Sequence, residues 1–514
     1  MDAPLYEQPT ARISSPSGKW ILLTTVLGSS MALLDSTVIN VALPHIGDDL
    51  TAGLTALQWT VNAYMLTLAA LILLGGSLGD RFGRRRIFVL GVIWFAVASL
   101  LCGLAPNMGM LITARALQGV GGALLTPGSL ALIEASFHPD DRARAVGLWS
   151  GFGGIGAAAG PFLGGWLVDG PGWRWIFLLN VPLALACVSI ALRHVPESMA
   201  TPHQAAAAGS ETEAVPGDTA RRHHGFDVSG AALGALALAL ATYALIEARN
   251  GSVVVALSAA GGVAAGCAFV FVERHRPDPM MPLTIFASRQ FTAINLVTLC
   301  LYASLGGFFF LTALQLQIVV GYSALEAGTA MLPTTVLMLV FSSRSGEIAQ
   351  RIGPRVPLTV GPLLCAAGML MMLRVGPDAS YVGDVLPALL VIGAGMVSFV
   401  APLTVTLLSS VDSGNAGLAS GINNAAARAA GLVAVAALPL LTGMDSDAYR
   451  SGEAFNESFR RAMPICAAIL GIGALLAFVT VRGSAPDRHR PQCRRHGWMT
   501  TPPLEPRSHH RLWR

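Results

Sequence analysis

The chain has 514 residues, 53% of them hydrophobic and only 12% charged, with a formal net charge of +4. Soluble domains carry a charged fraction of roughly 25%, so a soluble globular protein is excluded. Nothing in so small a charge points to a nucleic-acid partner.

Apolar runs long enough to cross a ~30 Å hydrocarbon core recur along nearly the whole chain. Residues 1–19 form a polar segment. The run that begins at Trp20 is too long for a cleavable signal and is expected to stay as the first membrane helix. Six runs make an amino-terminal group at 20–44, 57–78, 87–105, 110–135, 144–168 and 174–195. Residues 196–227 contain AAAAGSETEAVPGDTARRHH and are expected to form a flexible linker. Two spans follow within 228–272, and six more within 291–481, near 291–318, 324–343, 356–374, 383–408, 416–442 and 460–481. The basic tail 482–514 is expected to be disordered. The pattern predicts an all-α polytopic membrane protein of about fourteen helices.

Arginine orients it. One set of loops carries Arg81, Arg84, Arg85 and Arg86, then Arg142 and Arg144, Arg221 and Arg222, Arg274 and Arg276, and Arg351 and Arg355. The opposite loops hold Asp48 and Asp49 but little basic charge until a mixed segment from Asp445 to Arg461. The positive-inside rule then places both termini in the cytoplasm.

Two loops echo each other. GSLGDRFGRR starts at Gly76 and GEIAQRIGPR at Gly346, so that Gly76, Arg81, Gly83 and Arg85 recur as Gly346, Arg351, Gly353 and Arg355. A weaker echo pairs Pro127 with Pro402. The chain is expected to be two homologous six-helix halves with two helices inserted between them, a duplication that suits alternating access around a central site.

Within this frame, polar residues inside apolar runs are the candidates for chemistry. Asp35 lies in LLDSTVINVALP, nine residues before Pro44, which is expected to end the first helix. An acid at membrane depth costs roughly 2.5–3.5 kcal/mol on insertion scales and usually marks a transport pathway. Arg115, on the fourth helix, falls at a compatible depth and is the candidate partner, with Thr37 and Asn40 adding polarity nearby. A fixed structural pair and a proton-responsive pair both fit. Asp80 among Arg81, Arg84 and Arg85, with Gly83 for a tight turn, fits an ion-pair latch, whereas the second copy has Gln350 in place of the acid. Glu134 fits either a partner of that latch or a coupling role. Gly156, Gly160 and Gly164 form one smooth helix face beside Pro161 and Gly165. Asn40, Asn295, Gln315, Gln317 and Asn423 are possible substrate-lining residues, although each also suits an interhelix hydrogen bond, as does Arg428.

Seven scattered cysteines include no CxxC pair, which indicates neither a disulfide framework nor a metal site. No HExxH or GxxxxGK[ST] occurs, and the GxSxG match Gly75–Gly79 lies within the GGSLGDRFGRRR loop, so neither these enzyme chemistries nor ATP binding is expected. No cofactor is expected.

GGSLGDRFGRRR, LDSTVINVALP, RALQGVGGA at Arg115, GIGAAAGPFLGG at Gly156 and WRWIFLLNVP at Trp173 occur in one order. Together they resemble the major facilitator superfamily, in particular its fourteen-helix drug:proton antiporter branch (EmrB/QacA type), over roughly Trp20 to Arg482. The resemblance implies two pseudo-symmetric six-helix bundles and a loop latch that stabilises the outward-facing state. It associates the Gly-Pro pair of helix five with export, and here the glycine face is expected to seal the halves on the cytoplasmic side. The expected function is proton-driven export of a small molecule across the bacterial cell membrane by a monomer. Because helix nine lacks an acid, a lipophilic neutral or monocationic cargo is expected. A dedicated exporter of one metabolite or self-made antibiotic is the alternative, and a membrane receptor or enzyme a remote one.

Overall fold

The computed structural model describes residues 11–198, 227–276, 279–411 and 416–481. The expected linker (but for its ends), the expected basic tail and the first ten residues lie outside the described residues.

Among the described residues the chain is built of helices: α1 (Pro16–Asp49), α2 (Leu54–Phe82), α3 (Arg84–Gly103), α4 (Met108–Ser136), α5 (Pro139–Asp169) and α6 (Trp175–His194). The inserted pair is α7 (Val228–Ile246) and α8 (Val253–His275). The second half comprises α9 (Arg289–Ile318), α10 (Ala324–Ala330 continuing as Leu332–Ile352), α11 (Arg355–Arg374), α12 (Tyr381–Leu408), α13 (Ala416–Thr442) and α14 (Gly452–Thr480). Among the described residues thirteen helices are long and apolar enough to cross a membrane. A further one, α5, has 31 residues, more than the ~20 a span needs, and packs among them.

Their starts follow from local chemistry. Side chains of Ser15, Asn107, Ser252 and Ser288 accept backbone N–H groups at the starts of α1, α4, α8 and α9, and Ser323 with Glu326 forms a capping box on α10. Most helices run past the expected spans. Pro44 does not end α1, which continues to Asp49. A proline is tolerated inside a membrane helix where neighbours cover the freed carbonyl, and Pro44 is buried.

The two halves repeat. In the first, α1 packs on α5 and α6, α2 and α3 on α4, and α3 on α6; in the second, α9 packs on α13 and α14, α10 and α11 on α12, and α11 on α14. The echoing loops also share their turn: Gly83 and Gly353 both take positive φ, +107° and +82°, a conformation that favours glycine. Large apolar residues such as Leu90, Ile93, Trp94 and Val97 on α3 point outward, as expected of a surface solvated by lipid.

The halves meet through α1 on α9, α2 on α13 and α5 on α10. Gln58 donates to the carbonyls of Val435 and Ala436 at 2.8 and 3.4 Å, and Gln317 to that of Val41 at 3.0 Å. Asp169 accepts from the N–H groups of Ala324 and Leu325 at 3.2 and 2.8 Å. All these bonds lie towards the face opposite the arginine-rich loops, the outer side by the positive-inside rule. Among the described residues no hydrogen bond joins the halves near the cytoplasmic face; on that side they meet by packing, as Leu73 of α2 does against Gly421 of α13. The insert sits beside this seam, α7 touching both α2 and α13 while α8 leans on α7. At its outer end Glu247 accepts from the Trp59 indole at 3.2 Å, and Arg249 pairs with Asp445 at 3.2 Å.

Candidate functional site

Asp35 and Arg115 come together inside the first half. The Arg115 guanidinium donates to Asp35 Oδ2 at 2.5 Å, and the two residues are 0–3% exposed. Gln118 donates to the other oxygen, Oδ1, at 2.8 Å, and Asn180 does so at 3.3 Å. Arg115 is occupied in turn: it donates to Gln118 Oε1 at 2.7 Å and to the Thr60 carbonyl at 3.1 Å. Its guanidinium lies 4.4 Å from the centre of the Tyr64 ring. Ser99 closes the network, accepting from Gln118 and Asn180 and donating to the Phe177 carbonyl.

Five helices therefore converge on one carboxylate. A buried ion pair is tolerated when charge is balanced and the remaining lone pairs are satisfied, and here both Asp35 oxygens accept. Protonation of Asp35 removes the balancing charge and leaves Arg115 buried with neutral acceptors only. The arrangement is chemically capable of responding to a proton. Sequence reasoning found the acid and the arginine but missed Gln118, Asn180 and Ser99. The first two were within reach of it: Gln118 stands one turn after Arg115 in RALQG, and Asn180 lies in WRWIFLLNVP. Thr37 is elsewhere engaged, its hydroxyl donating to the Leu33 and Leu34 carbonyls.

At the cytoplasmic loop, Asp80 pairs with Arg84 at 2.8 Å. Arg85 is held by helix six: its N–H donates to Glu197 at 3.0 Å and its guanidinium to the Val195 carbonyl at 2.9 Å. Arg86 also faces Glu197. A Cβ on Gly83 would meet that carboxylate at 2.7 Å. The latch thus ties α2 and α3 to the end of α6 within one half, through Glu197, which the sequence reading did not single out. Gly76 packs near Pro127 at ordinary contact distance, and Arg81 lies over the Phe82 ring. Glu134 is exposed, with Arg84 and Arg142 within electrostatic reach and no ion pair among the described residues.

The glycine face of α5 differs from expectation. Added Cβ atoms on Gly156, Gly160 and Gly164 would strike Ser30, Thr37 and Val38 of α1, so this face joins two helices of the same half. Gly165 and Pro161 make the contacts across the halves, against Ala324 and Gly328, and on the outer side rather than the cytoplasmic one. The periodicity of the glycines follows the α1 crossing, and only residues off that stripe are free to meet α10.

Most of the possible substrate-lining residues serve packing. Asn423 donates to Asn295 Oδ1 at 3.2 Å and to Thr298 at 2.8 Å. Gln315 bonds the Val375 carbonyl and Asn456, and Gln317 crosses to α1. Asn40 differs in making no side-chain hydrogen bond among the described residues; its Oδ1, like Gln315 Oε1 and Gln317 Oε1, is buried without a partner. No cluster that would hold a metal ion occurs among the described residues.

Comparisons with known proteins bear on the family and the fold. The family model described as Major Facilitator Superfamily matches residues 25–436. The multidrug resistance protein Stp of Mycobacterium tuberculosis is 36% identical over 412 residues, 79% of this chain and 72% of that protein. The tetracenomycin C resistance and export protein of Streptomyces glaucescens is 33% identical over 504 residues, 95% of this chain and 89% of that one. Among solved structures, a bacterial homolog of the human lysosomal transporter Spinster, inward-facing and unoccupied, superposes with a TM-score of 0.61 at 17% identity, covering 93% of this chain and all of the other. That likeness bears on the fold alone.

Proposed function

Since the chain belongs to the major facilitator superfamily and is a multi-pass membrane transporter rather than an enzyme, we propose that it exports lipophilic antibiotic-like molecules in exchange for protons. The observation that carries this reading is the buried Asp35–Arg115 pair with its ring of donors. A proton arriving from outside neutralises Asp35 and frees Arg115. Its loss to the cytoplasm restores the pair. Each step changes the charge balance among α1, α2, α4 and α6, and two of these, α1 and α2, also touch the other half. The proton gradient supplies the energy, and a monomer suffices because both halves of the cycle lie in one chain.

The relatives' names lend support to export of drugs. One is named for multidrug resistance and another for resistance to and export of a single compound. The second name favours the further reading of a dedicated exporter of one self-made antibiotic.

Proteoliposomes with an imposed pH gradient test the coupling. In vesicles loaded with cargo and diluted into acidic buffer, wild-type protein is expected to release cargo as protons enter and acidify the lumen, and Asp35→Asn to bind cargo without gradient-driven transport. Coupled transport by Asp35→Asn at the wild-type rate overturns the assignment.

A further inference from the structure

Arg428 has no role so far. It is half-buried on α13, seven residues inward of Val435, where Gln58 closes the outer seam. It is also seven residues outward of Gly421, where an added Cβ would meet Leu73 of α2 at 2.8 Å. Seven residues are nearly two helical turns, so Gly421, Arg428 and Val435 share one face, turned towards α2. By the helical rise Arg428 stands about 10 Å from either contact. That is the middle of the membrane, between the two halves.

Its surroundings hold no counter-charge. Arg428 makes no hydrogen bond and no ion pair among the described residues. Across from it on α9, the Tyr302 backbone lies against Gly431 of α13, one turn outward of Arg428, and the Tyr302 side chain is half-buried. Helix nine carries no acid, and the membrane-depth acid Asp35 is already committed to Arg115. One turn towards the cytoplasm on the same helix, Asn424 is exposed. An exposed amide at that depth suits a water-lined cavity, not lipid. On the opposing helix, Asn62 follows Gln58 by one turn. It is completely buried, and neither polar atom of its side-chain amide has a partner.

We infer that Arg428 is the anchor of the cargo site and that the cargo is a lipophilic acid, an aromatic carboxylate or phenolate, bound between α2, α9 and α13. The inference rests on the export reading and narrows it. A guanidinium presents a planar fork matched to a carboxylate, the half-buried Tyr302 ring on α9 offers an apolar wall with a polar tip, and the buried Asn62 on α2 holds an unspent donor and acceptor. The absence of an acid from helix nine, which suggested neutral or monocationic cargo, is equally a condition for leaving Arg428 unpaired.

Equilibrium binding to the purified full-length chain tests it with three ligands of one shape: anthraquinone-2-carboxylate, its carboxamide and 2-(aminomethyl)anthraquinone. The wild type is expected to bind the carboxylate at least tenfold tighter than the other two. Arg428→Gln is expected to bring the carboxylate down to the level of the amide, and Arg428→Lys to keep most of the preference, which separates loss of charge from loss of fold. Equal or tighter binding of the amine, no binding of the carboxylate, or a preference that survives Arg428→Gln overturns the inference. Protonophore-sensitive efflux of a panel of toxic compounds from cells expressing the chain measures the export reading separately. If cationic compounds leave such cells and Arg428→Gln changes nothing, export stands and the acid-binding site falls; if no compound leaves faster than from cells without the chain, the export reading falls.

Discussion

Asp227 shows how single side chains hold this protein together outside the membrane core. It caps α7, accepting from the Gly230 N–H at 2.7 Å, and pairs with Arg276 at 2.5 Å. Burial works to raise its proton affinity, but the Gly230 N–H, the Ser229 hydroxyl and Arg276 together outweigh burial and hold the carboxyl below its ordinary range. A carboxylate with a depressed pKa contributes stability that is present above the unfolded value, near 3.9, and is lost as pH falls through the folded one. Asp227→Ala is therefore expected to destabilise the insert by about 1 to 2 kcal/mol at neutral pH. The difference should shrink as unfolding is followed into acid below pH 4; a difference unchanged across that range contradicts the assignment. At the same scale, Asp35 illustrates the limit of residue identity as a guide. Its charge and that of Arg115 were visible as misfits in apolar runs. Gln118 and Asn180, which bond the pair, stand in quoted motifs but give no sign of that role, and Ser99, which holds those two, carries no signal at all, because an isolated Ser in such a run is unremarkable until the helices cross.

At the scale of elements, the crossing of α1 and α5 depends on the absence of side chains. A Cβ on Gly160 would lie 1.9 Å from the Thr37 hydroxyl oxygen, which a shift of the helices alone or a rotation of Thr37 would have to relieve. Overpacking of this kind typically costs about 1–3 kcal/mol. Gly160→Ala is expected to lower thermal stability in detergent by an amount in that range, with Thr37→Ala in the same chain restoring much of it. No recovery in the double variant would locate the strain elsewhere. The glycine spacing was plain in the sequence, since positions four apart on a helix always share a face. Which neighbour that face meets was not, because α1 and α10 flank α5 on two sides and both offer small-residue surfaces.

For the whole molecule, the hydrogen bonds between the halves gather on the outer side, at Gln58, Asp169 and Gln317. A carrier built from two rocking halves must break these contacts to release cargo outward. In a cysteine-free background, Gln58→Cys with Ala436→Cys joined by a short bis-methanethiosulfonate is expected to abolish transport, with activity restored by reduction and cargo binding retained throughout. Either single cysteine should leave transport intact. Undiminished transport by the cross-linked protein would show that this seam does not open. The insert adds its own ties on the same side, Glu247 to Trp59 and Arg249 to Asp445, so it spans the seam and must follow both halves as they move.

The fold class, the order of the helices, the duplication and the pairing of Asp35 with Arg115 were determined by the sequence alone. Apolar length sets a membrane span regardless of context, repeated motifs reveal repeated structure, and an acid and a base at compatible depths in apolar runs are each other's readiest partners. Tertiary structure decided the rest. Whether Gln315 and Asn423 bind a ligand or another helix, whether the α5 glycines face α1 or α10, and whether Arg428 has a counter-charge all depend on which helices become neighbours and on how they are rotated. Those choices come from packing summed over both halves, and no single run of sequence carries them.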